Sequence, residues 1–166
     1  LYRDPAFIRE VMDFSAEFQV EVLRKALNEV EVDSATISED ISYNIGPMIS
    51  PKMIRDFMLP AYKKITIFLR DHNVDIIFVD SDGNVDMLIP LWFDAGINGI
   101  LPIEQCNLNM NPVALRKKYP RLVMAGGIDK RELAKDKKAI EREVMSKVPY
   151  LIKAGGYFPG VDHAIP

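Results

Sequence analysis

Two carboxylates close the stretch IIFVDSDGNVD. Asp80 and Asp82 follow the apolar run Ile76–Val79, with Gly83 behind them. Residues two apart on a strand share a face, so both acids can lean into one cavity at a strand end. Acids so placed can do acid/base work, or ligate a divalent metal together with an imidazole. A calcium loop needs Gly at its sixth position and Glu at its twelfth. Counted from Asp80, those positions hold Val85 and Leu91, which excludes it. A phosphatase-type DxDG reading makes Asp80 a nucleophile and Asp82 its acid/base. Against it stand the mid-chain position and the following Asn84. The plainer alternative is an Asp-Gly turn with a helix cap.

His163 lies beside Asp162 near the end of the chain. Its imidazole can position a substrate carboxylate or move a proton; the alternative is a histidine satisfied by a neighbouring acid. Asp80, Asp82 and His163 are candidate catalytic residues, and two carboxylates with one imidazole also form a plausible divalent-metal set. His72, in a helix-to-strand turn, is expected to be solvated. Glu39, Asp40, Glu104 and Asp162 stand at other strand ends and are candidate substrate-binding residues. Gly126 and Gly127 leave bare backbone N–H groups that can approach an anion; the alternative is a tight turn. Asp129 reads as a helix cap, with Glu132 completing a capping box.

These residues need elements to hold them. Residues 4–30 have apolar residues at helical spacing behind Pro5, with a stripe through Phe7, Val11, Phe14, Phe18, Val22 and Leu27. DSATISED reads as a short strand. Ser50-Pro51 opens a helix to about Asp71, kinked or divided at Pro60. VDIIFVD, INGILPIE, RLVMAGGID and GGYFPGVDH read as further strands. Helices are expected near 85–95, over NPVALRKKY, and from about Arg131 to Ala154 with Pro149 disturbing the last turns. Strands alternating with helices argue for an α/β fold with a parallel sheet, whose chemistry sits at the strands' C-terminal ends. About five units are too few to close an eight-stranded barrel of typically about 250 residues. If the fold is a barrel, roughly its first three units are expected to be absent.

The bulk numbers are those of an ordinary globular protein: 166 residues, 48% hydrophobic, 27% charged. A net charge of -3 points away from nucleic acid and anionic membranes. No apolar run approaches a membrane span. Cys106 is the only cysteine, so no internal disulfide forms, and a cytoplasmic setting is expected. The eight methionines are scattered, which suits core filling.

Four segments together, MISPKMIRDFMLPAYKKI, IIFVDSDGNVDMLIPLWFDAGINGILPIE, LVMAGGIDKREL and GGYFPGVDHAIP, resemble the uroporphyrinogen decarboxylase superfamily, which also contains corrinoid-dependent methyltransferases. The resemblance implies a (β/α)8 TIM barrel. Residues 1–166 would then be one partial barrel holding strands four to eight, with the N-terminal strands missing. It implies a decarboxylase without cofactor, acting on a tetrapyrrole or a related carboxylated small molecule. His163 matches a histidine of the decarboxylases' last strand, and Asp40 stands where they carry a substrate-contacting serine. The methyltransferase branch binds zinc through an HxC pair and a later Cys. The matching positions are Asp80, Asp82 and His163, so a soft thiolate site is replaced by an oxygen-rich one, with a corrinoid protein as the implied partner. The acids at Asp40 and Asp80 would repel a substrate carrying many carboxylates. Further expectations are a non-catalytic ligand-binding barrel as the third reading, and a homodimer.

Overall fold

The computed structural model describes residues 2–107 and 109–165. In chain order the elements are α1 (Pro5–Glu29), β1 (Ser34–Ser38), β2 (Ser42–Tyr43), β3 (Gly46–Pro47), α2 (Pro51–Met53), a π-helical turn (Ile54–Met58), α3 (Leu59–Asp71), β4 (Ile76–Asp80) and α4 (Ile89–Asp94). They continue with β5 (Gly99–Ile103), α5 (Pro112–Lys118), β6 (Val123–Ile128), α6 (Lys130–Leu133), α7 (Lys137–Met145), α8 (Val148–Ala154) and β7 (Tyr157–Val161).

Five strands form one sheet in the order β1-β4-β5-β6-β7, every pair parallel. Spatial order follows chain order, so each crossover runs through helix and returns to the next strand. That is the winding of a (β/α)8 barrel. All five strands therefore end at one rim. The short β2–β3 hairpin leaves β1 there as a separate antiparallel pair.

The core forms where strand residues such as Ile77, Val79, Ile100 and Met124 meet helix residues such as Tyr62, Leu69, Trp92, Leu115 and Leu151. Burial of these apolar surfaces is the main drive for the layering. Gly126 faces Ile103 across a register shift, and a Cβ there would lie 2.8 Å from the Ile103 nitrogen. With φ at 98°, the position is doubly suited to glycine.

Several expectations change. The apolar stripe foreseen on α1 is exposed at Phe7, Val11, Phe14, Phe18 and Val22. The helix instead turns Ile8, Met12, Ala16, Val20, Leu23 and Leu27 inward, with Ala16 fully buried. A residue as small as Ala16 permits close approach to α3, and Lys64 of α3 fixes the rotation by pairing with Asp13 (2.7 Å) and Glu17 (3.1 Å). The α2–α3 segment is continuous but carries its π-helical turn just before Pro60. The helix foreseen near residue 85 begins at Ile89, because Asn84 is held by the hairpin: its N–H donates to Tyr43 O and its carbonyl accepts from Ser42 Oγ. The single helix foreseen from Arg131 to Ala154 is three. Asp136 caps a new start by accepting from Ala139 N, and Lys147 breaks the run before Pro149. His72 is half-buried, not simply solvated: it packs on Phe68, with Nδ1 2.8 Å from Phe68 O and Nε2 3.3 Å from Asn28 Oδ1. No helix of the described residues is long and apolar enough to cross a membrane.

One buried cation ties the last strand to the sheet. Arg116 donates to Pro120 O (2.7 Å), Gly155 O (2.8 Å) and Gly156 O (3.0 Å). Arg116→Ala strands three carbonyls and is expected to cost about 3 kcal/mol in urea unfolding. A loss under about 0.5 kcal/mol would mean that water replaces the guanidinium at no cost.

Candidate functional site

The rim encloses a cavity of about 610 Å³. Its walls carry Ser38, Glu39 and Asp40 after β1, Asp80 and Asp82 at β4, and Leu101 and Pro102 on β5. Ala125 and Gly126 of β6 and the run Phe158–His163 complete it. Among the described lining residues none is Lys or Arg.

The DSDG turn aims its alternate residues in two directions. Asp80 and Asp82 line the cavity. Ser81 is buried the other way, accepting from Ile41 N (3.1 Å) while its own N–H donates to Leu101 O (2.9 Å). Gly83, at φ 84°, presses on the hairpin, where a Cβ would lie 2.6 Å from the Ser42 and Tyr43 carbonyl oxygens. The turn is thus pinned from behind, which fixes Asp82 in front.

His163 collects three acids. Its Nε2 is 3.3 Å from Asp82 Oδ2, and its Nδ1 is 3.6 Å from both Glu104 Oε1 and Asp162 Oδ2. Glu104 is oriented by its second oxygen, which accepts from Gly83 N (2.6 Å) and Asn107 Nδ2 (2.5 Å). Asp162 accepts from the His163 N–H and pairs with Lys130 at 3.2 Å, its side chain only 4% exposed.

Environment divides these carboxyls. Burial raises Asp82, and Glu104, Asp40 and Asp80 raise it further against the pull of His163. Burial also raises Glu39. For Asp162 burial pushes up too, but the His163 N–H and the Lys130 ammonium outweigh it and hold the group below the usual range. Burial, then Glu104 and Asp162, push up the Cys106 thiol.

Ligand-capable atoms of Asp82, Glu104 and His163 all lie within 4.8 Å of one another. Of the metal set suggested by the sequence, Asp82 and His163 are brought together. Glu104 joins them, while Asp80 lies outside this group on the same cavity wall. Glu104, Cys106 and Asp162 form a second such group, but there Lys130 already supplies Asp162 with a cation. Asp80 also organises the β1 end, its carbonyl accepting from Glu39 N (2.9 Å) and Asp40 N (3.3 Å). Gly126 lines the cavity; Gly127 faces Pro112, where a Cβ would lie 2.8 Å from Cγ. Asp129 caps α6 through Arg131 N, but no capping box forms with Glu132: Glu143 of α7 accepts from Asp129 N (2.7 Å) instead. Lys130, which holds Asp162, carried no sequence signal, since it is a surface-type residue directly after a cap.

A family model for uroporphyrinogen decarboxylase (URO-D) matches residues 1–166, and the chain belongs to that family. No curated protein matches it.

The raised Asp82 carboxyl has a sign for stability. A group that holds its proton more tightly when folded favours folding at low pH, and that contribution is lost as pH rises through the raised value. In metal-free protein Asp82→Asn is therefore expected to raise Tm at pH 7 by about 1–2 °C, a small shift because the side chain is partly solvated. The gain should vanish below about pH 4. A lower Tm than wild type at pH 7 would contradict this sign.

Proposed function

On the premise of that family membership, we propose that the chain is a metal-dependent enzyme of the methyltransferase-like kind, with a divalent ion held by Asp82, Glu104 and His163. The convergence of these three side chains carries the reading. Two carboxylates and one imidazole suit a hard or borderline ion such as Mn²⁺, Co²⁺ or Zn²⁺. The fit is electrostatic as well. Asp82, whose proton affinity is raised by burial and then by the neighbouring Glu104, is the kind of carboxyl that a divalent charge relieves. The outer contacts also suit a ligand set: Gly83 and Asn107 orient Glu104, and Asp162 lies beside the imidazole.

Bound there, the ion would act as a Lewis acid on a substrate heteroatom. The chain's own residues bind and orient the substrate. Leu101, Pro102, Ala125 and Phe158 offer an apolar wall, and Glu39, Asp40 and Asp80 offer acceptors. Such a lining favours a small neutral or cationic substrate. It disfavours a polycarboxylate tetrapyrrole, since Glu39, Asp40 and Asp80 on the same wall would repel one. That weighs against uroporphyrinogen itself as substrate. A corrinoid protein is the carrier this reading implies as partner.

Calorimetric titration of metal-stripped protein with Mn²⁺ and Zn²⁺ tests the reading. One ion per chain is expected, with Asp82→Ala and His163→Ala each weakening affinity about tenfold or more. Asp80→Ala should weaken it less than threefold, roughly the scale of an indirect electrostatic contact. Absence of saturable binding by either ion, or unchanged affinity in both ligand variants, sinks the proposal.

A further inference from the structure

His163 faces one carboxylate more than the proposed metal set uses. Asp82 and Glu104 enter that set; Asp162 does not. Its side chain is only 4% exposed, and a carboxylate so buried needs a partner. Lys130 supplies it. The β6–β7 register sets Ile128 opposite Val161, so the residues that follow the two strands are neighbours. Lys130 opens α6 directly after the Asp129 cap, and its Nζ lies 3.2 Å from Asp162 Oδ2. The nearby cations are engaged elsewhere: Arg131 holds Asp129 at 2.6 Å, and Lys147 is buried against Glu143. Lys130 is not part of the cavity wall, so its route to the site runs through Asp162.

The two Asp162 oxygens do different things. Oδ1 accepts from the His163 backbone N–H at 2.9 Å. Oδ2 takes the Lys130 ammonium and stands 3.6 Å from His163 Nδ1. The opposite ring nitrogen, Nε2, faces Asp82 Oδ2 at 3.3 Å. Glu104 Oε1 is as close to Nδ1 as Asp162 is, but the ion claims Glu104 in the proposed set. A ligating imidazole donates its other ring N–H to a carboxylate, which fixes the ring. We propose that Lys130 is a positioning residue for His163: it holds Asp162 as the acceptor for Nδ1–H and so leaves Nε2 to the metal set. The same ammonium keeps Asp162 from joining Glu104 and Cys106 around an ion of their own. The inference rests on the metal set proposed above.

Charge and position predict opposite signs. Removing a cation beside a cation site strengthens metal binding by Coulomb attraction alone. Removing a positioning residue weakens it. Calorimetric titration of the metal-stripped full chain with Zn²⁺ reads the sign. Lys130→Met keeps the length of the side chain without its charge, and is expected to bind about fivefold more weakly, short of the tenfold of a direct outer partner. Asp162→Asn keeps an acceptor for the His163 backbone N–H and should lose about tenfold. Lys130→Arg keeps the cation and should stay within about twofold of wild type. Unchanged or tighter binding by Lys130→Met overturns the proposal, as does an Arg variant no better than the Met variant. If Lys130→Met does not fold, unchanged affinity in Asp162→Asn overturns it.

Nitrogen-15 spectra of the His163 ring in metal-free protein, taken where the imidazole is neutral, separate this inference from the metal reading. The Nδ1–H tautomer is expected in wild type, and a mixture of tautomers in Lys130→Met. A wild-type Nε2–H tautomer contradicts the assigned role of Asp162. If no ion binds but the ring behaves as expected, only the metal falls and Lys130 still positions His163. If the ion binds and neither affinity nor tautomer responds to Lys130→Met, only the role of Lys130 falls.

Discussion

Like charges crowded at one rim are the constraint around which this structure is arranged. A parallel sheet sends every strand end to the same side, and here those ends carry Glu39, Asp40, Asp80, Asp82, Glu104 and Asp162. Their mutual repulsion in a partly desolvated cleft must be met by hydrogen bonds, cations or protons. The structure uses all three. Lys130 meets Asp162, the Gly83 N–H and Asn107 meet Glu104, and Asp82 and Glu39 hold their protons more tightly than usual. Carboxyls of one site are thereby driven to opposite protonation behaviour, which is how acid and base roles become separable in one cleft.

The same rim needs rigid backing, because aligned acids relax apart if their backbone can move. The DSDG turn is clamped between β5 and the hairpin through Ser81 and Gly83. Beneath the end of β6, Lys147 is buried against Glu143 and donates to Gly127 O and Gln105 Oε1, while Glu143 accepts from Asp129 N. A buried ion pair of this kind is weak evidence for net stability. Its geometric effect is clear: it docks α7 to the strand end that leads into Lys130, and so to the cation that holds Asp162.

Much of this was legible in order and little of it in partnership. The strand–helix alternation, the acids at strand ends and the Asp129 cap follow from short-range rules and hold in the structure. The inward face of α1 did not follow, because two apolar stripes compete on that helix and only contact with α3 selects one. The division of the last long helix was hidden for a related reason. Asp136 and Lys147 give no strong break signal, but one caps a new start and the other is drawn across to Gly127 O and Gln105 Oε1, contacts between segments far apart in the chain.

By itself the sequence determined the α/β class, the family and the rim on which the polar residues gather, since periodicity, turn residues and strand polarity are local properties of the chain. Tertiary structure alone decided which acids share an imidazole. Glu104 rather than Asp80 completes the group around His163, because the turn after β4 swings Asp82 towards β7 and Gly83 offers its N–H to Glu104. Such pairings depend on packing distances between segments far apart in the chain, and spacing along the sequence carries no measure of them.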